Sequence, residues 1–135
     1  MPHSYGPSIP LDSAKRAASA ALAEAQRNNW TMAVAVVDIA GGLVYFEKMD
    51  DTQNGSVRVA ISKARSAALF KRPTKAFQDT LATPDGLRIL GLDGAVPVEG
   101  GVPLVIDGLI AGAIGVSGGT SQQDGVCARA AVDAL

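Results

Sequence analysis

The sequence predicts a single domain of the α/β (α+β) class, an antiparallel sheet with helices on both faces. Three observations carry that prediction. Residues 103–106 and 109–116 are apolar runs separated by Asp107-Gly108, a dipeptide suited to the positive φ of a two-residue hairpin turn. Residues 32–38 and 43–49 flank Ile39-Ala40-Gly41-Gly42 in the same way, and hairpins imply antiparallel pairing. Around these hairpins alanine recurs at helical spacing, giving smooth helix faces that can sit close to a sheet.

Taken in order, residues 1–10 hold three prolines and Gly6 and are expected to form an irregular arm ahead of a domain spanning 11–135. Asp12 is the predicted N-cap of a first helix, whose stripe is Ala14, Ala17, Ala18, Ala21, Leu22 and Ala25. The near-continuous apolar run 32–38 predicts a strand covered on both faces, with 43–49 as its hairpin partner. Asp38 at the end of that strand reads as a turn-capping carboxylate, with acid–base chemistry as the alternative.

Ser56 is the predicted cap of a second helix running to about Lys71, with Val57, Ala60, Ile61, Ala64, Ala67 and Ala68 inward and Lys63 and Arg65 off the stripe. That helix must stop before Pro73, and Thr74 is expected to cap a short helix through Phe77 and Leu81. Residues 96–99 can be a strand only at a sheet edge, because Pro97 has no N–H for a ladder. The second hairpin follows, and residues 122–135 close the chain as a helix. The order is α, β-β, α, short α, β-β-β, α, with the two most apolar strands expected as central neighbours.

A chain of 135 residues that is 47% hydrophobic can build a full core. Net charge is −1, which leaves no electrostatic footprint for nucleic acid or an anionic membrane. Aromatic residues make up 4%, too few for a base-stacking platform. No apolar run approaches the roughly 18 residues that span a bilayer, and no basic leader precedes one, so a soluble cytoplasmic protein is expected. The single cysteine, Cys127, excludes an internal disulfide and reads as a small buried hydrophobe.

Alternation along 109–117 places Ala111, Ala113, Gly115 and Ser117 on one nearly bare face, which suits either a tightly packed helix or a ligand floor. Dinucleotide, Walker A and zinc-spacing signatures are absent. One constellation remains. The Gly118-Gly119-Thr120-Ser121 junction offers helix N-terminal N–H groups to a carboxylate or phosphate, unless Thr120 or Ser121 caps the helix itself through Gln123 or Asp124. Lys63 and Arg65 can add positive charge if their helix lines the same space, and otherwise form a solvated face. Asp38 and Asp124 become acid–base candidates if burial raises a pKa.

Five stretches, Asp38-Ile39-Ala40-Gly41-Gly42, Lys48-Met49-Asp50, Lys63-Ala64 with Pro73-Thr74, Gly100-Gly101-Val102-Pro103, and Gly115-Val116-Ser117-Gly118-Gly119 with Gln123-Asp124, fall in an order that resembles the GlcG/HbpS-like family, also called the haem-degrading or DUF336 family. The resemblance covers about residues 11–135. It implies a profilin-like three-layer sandwich with a five-stranded antiparallel sheet, and a homo-oligomer. It also implies a small-molecule ligand: haem or a corrinoid-related molecule in some members, with a role in glycolate or other small-acid catabolism in others.

Taken with the junction, the resemblance makes Lys63, Thr74, Gly100, Gly101, Ser117, Gly118, Gly119 and Asp124 the ligand-binding candidates. The chain departs from a haem-binding pattern in having one histidine, His3, in the arm, whereas haem iron is commonly held by histidine. His3 is thus the haem-ligand candidate, and Met49 a second whose ordinary fate is packing. Two function classes follow: a homo-oligomer binding haem, a related tetrapyrrole or another small ligand, and a small enzyme acting on an anionic keto or enol acid. In the second, Lys63 and the Gly118-Gly119 junction hold the anion and Asp38 or Asp124 moves protons. A purely structural assembly role is a third.

Overall fold

The structure, a computed structural model, describes residues 3–135. Its elements are α1 (Leu11–Arg27), β1 (Ala33–Val37), β2 (Leu43–Lys48), α2 (Ser56–Phe70), α3 (Thr74–Leu81), a 3-10 helix (Gly86–Gly91), β3 (Gly101–Ile106), β4 (Leu109–Ser117) and α4 (Ser121–Asp133). The strands form one antiparallel sheet in the order β2-β1-β4-β3, so the two most apolar strands are central neighbours as expected.

Every residue of β1 is buried, because both of its faces are covered. Val34 and Val36 point into a layer formed by the alanine faces of α1 and α4, together with Ile114, Val116 and Leu104. Ala33, Ala35, Val37 and Ala113 point the other way, against Ala60, Ala64, Ala67 and Ala68 of α2. These are the two cores of a three-layer arrangement. No helix among the described residues is long and apolar enough to cross a membrane.

Among the described residues the sheet has four strands rather than five. Residues 96–99 form no strand: their backbone donors go to side chains instead, Val96 N–H to Ser66 Oγ at 3.1 Å and Glu99 N–H to Gln78 Oε1 at 2.8 Å, and Pro97 has none to give. Pro103 is tolerated in β3 because β3 is an edge strand, bonded only to β4. The Asp107-Gly108 turn has φ of 53° and 77°, the left-handed pair a two-residue hairpin needs.

Residues 4–9 form no helix or strand of their own but lie along the part of β4 that extends beyond β1: Ser4 accepts from Ile110 N–H at 2.8 Å, and Gly6 and Ile9 donate to Ile110 and Ala111 at 2.9 and 2.8 Å. Two further expectations are corrected. A register shift in β4 between Gly112 and Ile110 turns Ala111 to the α1/α4 core, so it leaves the bare face that simple alternation assigned to it. Asp12, Ser56 and Thr74 are not caps. Pro10, Gly55 and Pro73 occupy the cap positions, and the three polar residues sit inside the first turns.

Candidate functional site

The C-terminal end of β4, the start of α4, the middle of α2 and the segment entering β3 meet at one end of the sheet. Gly115 explains how α2 comes so close: a Cβ there would lie 2.0 Å from Ala60 O and 2.5 Å from Ala64 N. The bare face is therefore filled by a helix backbone rather than left as a ligand floor.

Close approach brings Lys63 under the sheet, where it is 1% exposed. Helical periodicity placed it off the buried stripe; the structure buries it because partners await its charge. Its Nζ donates to Asp124 Oδ2 at 2.8 Å and to Val116 O at 3.0 Å. Asp124 Oδ1 accepts from Gly119 N–H at 3.0 Å. Burial pushes the Asp124 carboxyl above its usual range, against the opposing pull of Lys63 and of the Gly118 and Gly119 N–H groups. The fork of Asp124 thus ties α2 to the β4–α4 junction.

Of the junction N–H groups that could have met a ligand anion, those of Gly118, Gly119 and Thr120 are engaged within the chain. Thr120 Oγ1 accepts from Gln123 N–H at 3.2 Å and Gln123 Oε1 accepts from Thr120 N–H at 3.0 Å, a complete capping box. Ser117 donates to Ser56 Oγ at 3.2 Å inside the core. Thr74 Oγ1 accepts from Gly101 N–H at 2.9 Å, joining α3 to the start of β3.

Of the sequence-derived set, Lys63, Thr74, Gly100, Gly101, Ser117, Gly118, Gly119 and Asp124 all lie at this end of the molecule. Gly100 stands between the buried pair and the outside, for a Cβ on it would sit 2.8 Å from Lys63 Nζ. Beyond Gly100 and Gly101 opens a cavity of about 330 Å³, bounded by Pro73, Lys75, Ala76 and Asp79 of the α3 start, by Glu99 and Val102, and by Gly125 and Arg129 of α4. Arg129 Nη1 donates to Glu99 Oε2 at 3.1 Å, and Lys75 Nζ pairs with Asp79 at 2.9 Å.

Asp38 and His3 are not part of this site. Asp38 lies past the other end of β1, where its Oδ1 accepts from Ala40 and Gly42 N–H at 2.9 and 2.8 Å, the turn-capping role. Arg65 is spent at the same turn, donating to Gly41 O at 2.8 Å. His3 is exposed, its Nδ1 2.9 Å from Gly108 O. The length of β3, roughly 17 Å at 3.3 Å per residue, separates that turn from Gly101. Met49 is half-buried with its Sδ 3.3 Å from Met32 N–H, and Cys127 is buried with its thiol pushed up to about 12.

Sequence reasoning missed Glu99, Arg129, Lys75 and Gly125. The available signal was Gly125, an isolated glycine inside a helix, which marks close approach of another group.

Fold and site together define a small three-layer α+β domain with a cavity that Gly100 separates from a buried ion pair. The chain belongs to the HbpS-like family, described as haem degrading protein HbpS-like, which matches residues 9–133. It is 39% identical to protein GlcG of Escherichia coli K12 over 94 residues, 70% of this chain and 69% of GlcG. The crystal structure of HbpS superposes with a TM-score of 0.86 at 28% identity, covering 98% of this chain and 93% of HbpS. The crystal structure of a PduOC–heme complex does so with a TM-score of 0.84 at 28% identity, covering 95% of each chain.

Proposed function

We propose that the protein binds a small carboxylate-bearing ligand at the Gly100–Gly101 cavity, with haem or a related tetrapyrrole as the ligand class, and that it does so as a homo-oligomer. The observation that carries the reading is the cavity of about 330 Å³ with Lys75 and Arg129 half-exposed at its edge, each paired with one carboxylate of the chain and, unlike the buried Lys63, within reach of a ligand's acid group. Similarity to the PduOC–heme complex supports the ligand class.

Size decides how much of a tetrapyrrole can enter. At about 330 Å³ the cavity is near the low end of the roughly 300–1,000 Å³ of small-ligand pockets, so only part of a macrocycle can enter. The remaining macrocycle lies outside, where a second copy of the chain can cover it. Leu87, Leu90 and Leu92, on and after the 3-10 helix, are exposed apolar surface suited to self-association.

The cavity does not fit the iron. None of its lining residues is a histidine, cysteine, methionine or tyrosine, and among the described residues no group of three or more His, Cys, Asp or Glu can hold a metal ion. Recognition therefore runs through the acid groups and the ring edge. The enzyme alternative, an anionic keto or enol acid held by Lys63, draws no support from an ammonium group already spent on Asp124 and Val116.

Haemin titration followed by the Soret band tests the reading. Saturable binding is expected, weakened in Lys75→Ala and Arg129→Ala and unchanged in His3→Ala. Loss of the band in His3→Ala alone would move the site to the opposite end of the sheet and overturn the cavity assignment.

A further inference from the structure

We infer that Glu99 makes the inner wall of this cavity a receptor for a cationic hydrogen-bond donor, an ammonium-type group on the ligand, so that the ligand carries an amine inward and its acid outward. The inference rests on the same cavity and goes beyond the tetrapyrrole reading, since haem carries no ammonium group and the occupant named here is an amine-bearing acid. Three observations carry it, the first being that the Glu99 side chain is 7% exposed yet lines the cavity. Gly125 makes this possible: any Cβ at that point of α4 would lie 2.1 Å from Glu99 Oε2.

Second, Arg129 holds only Oε2, and among the described residues no donor reaches Oε1. Every fully enclosed side-chain oxygen or nitrogen among the described residues has a partner, so Oε1 keeps accessible surface, on a residue that lines the cavity. A carboxylate oxygen with a lone pair left over can accept from a donor on a ligand in this partly open cavity.

Third, the charges are unequally screened. The cavity edge carries two cations and two carboxylates, which cancel formally, but Lys75 and Arg129 are 50% and 57% exposed while Glu99 is nearly dry. Water weakens the exposed charges far more than the buried one, so Glu99 sets the sign of the potential inside. A cation is drawn to the interior and an anion is kept at the edge, beside Lys75 and Arg129. A cationic donor also gains a charge-assisted bond at Oε1.

The test uses the full chain, labelled with nitrogen-15, and titrates benzylammonium and benzoate into wild type, Glu99→Gln and Gly125→Ala. Benzylammonium is expected to shift the amide signals of Gly100, Gly101 and Gly125 in wild type, with affinity falling about tenfold or more in Glu99→Gln, which keeps the shape but loses the charge. Gly125→Ala, which pushes the carboxylate aside, is expected to act in the same direction. Benzoate binding is not weakened by Glu99→Gln.

Equal benzylammonium affinity in wild type and Glu99→Gln, both spectrally folded, would overturn the inference, as would absence of shifts at the three glycines. A wild type that takes benzylammonium there yet gives no Soret band with haemin loses the tetrapyrrole reading and keeps the role of Glu99. The converse result, a Soret band with equal benzylammonium affinities, does the reverse.

Discussion

Placing a single methyl group at position 115 should cost this domain a large fraction of its stability. In Gly115→Ala the new Cβ meets Ala60 O at 2.0 Å and Ala64 N at 2.5 Å, against an ordinary contact distance of 3.4 Å or more. Both neighbours are helix backbone, so no side-chain rotation relieves the clash. Helix α2 must back off from the sheet by about 1.4 Å along that line, and a gap even of about 0.5–1 Å forfeits a quarter to a half of the dispersion contact across it.

The face that would be prised open is the whole packing of Ala60, Ala64, Ala67 and Ala68 on Ala33, Ala35, Val37 and Ala113. Overpacking typically costs about 1–3 kcal/mol, and with backbone as the obstacle the expected loss is about 3 kcal/mol or more, with Gly115→Val worse. Urea unfolding followed by far-ultraviolet circular dichroism measures it. With m of about 1–3 kcal/mol/M, the midpoint should fall by about 1 M or more at unchanged slope. Gly91→Ala, a glycine with nothing within 4 Å of its would-be Cβ, is the control, expected to be neutral or slightly stabilising. A Gly115→Ala midpoint indistinguishable from wild type would refute the account of why α2 lies where it does.

Other expectations concern the buried polar contacts and the surface. Lys63→Met leaves Asp124 charged and unpaired in the core and should destabilise by about 3–5 kcal/mol, whereas Lys63→Met combined with Asp124→Leu should recover much of that loss, as a double-mutant cycle in urea would reveal. Thr74→Val strips the Gly101 N–H of its acceptor and should cost about 1–3 kcal/mol, with faster hydrogen exchange at the Gly101 amide, while Thr74→Ser restores both. Because the Cys127 thiol is pushed up to about 12, its thiolate is scarce at pH 8, and iodoacetamide should label it only as fast as denaturant opens the chain; rapid labelling of the native protein would contradict its burial. Light scattering should give a particle heavier than 13.7 kDa, reduced in Leu87→Asp and Leu90→Asp; a monomer at micromolar concentration would remove self-association from the proposal.

Much of the frame is legible in the sequence. The apolar runs 32–38 and 109–116 identified the central pair, Asp107-Gly108 the turn, and Thr120 with Gln123 the helix start. What escaped the sequence shares one physical cause: it depends on partners distant along the chain. Lys63 reads as a solvent residue by periodicity and is buried because a carboxylate 61 positions later comes to meet it. The arm pairs with β4 through main-chain groups, which no side-chain pattern announces. Residues 96–99 carry strand-forming valines but spend their donors on Ser66 and Gln78. At the site, Gly100 and Gly101 were found from the sequence and the adjoining Glu99 was not, since its interest lies in a desolvation that only Gly125 on another helix creates.

The Lys63–Asp124 pair also sets an order of events for a chain emerging from a ribosome. By the time α2 and the first hairpin have been made, an ammonium group is committed to a helix face that otherwise packs against β1 and β4, and its counter-charge belongs to α4, made after the whole sheet. Until residue 124 has cleared the exit tunnel, the nascent domain must either leave that lysine in water, with α2 undocked along part of its length, or bury a naked charge at a cost no partial core can meet. Completion of this fold is thereby deferred until α4 is available, and a chain truncated before α4 should behave as a collapsed intermediate.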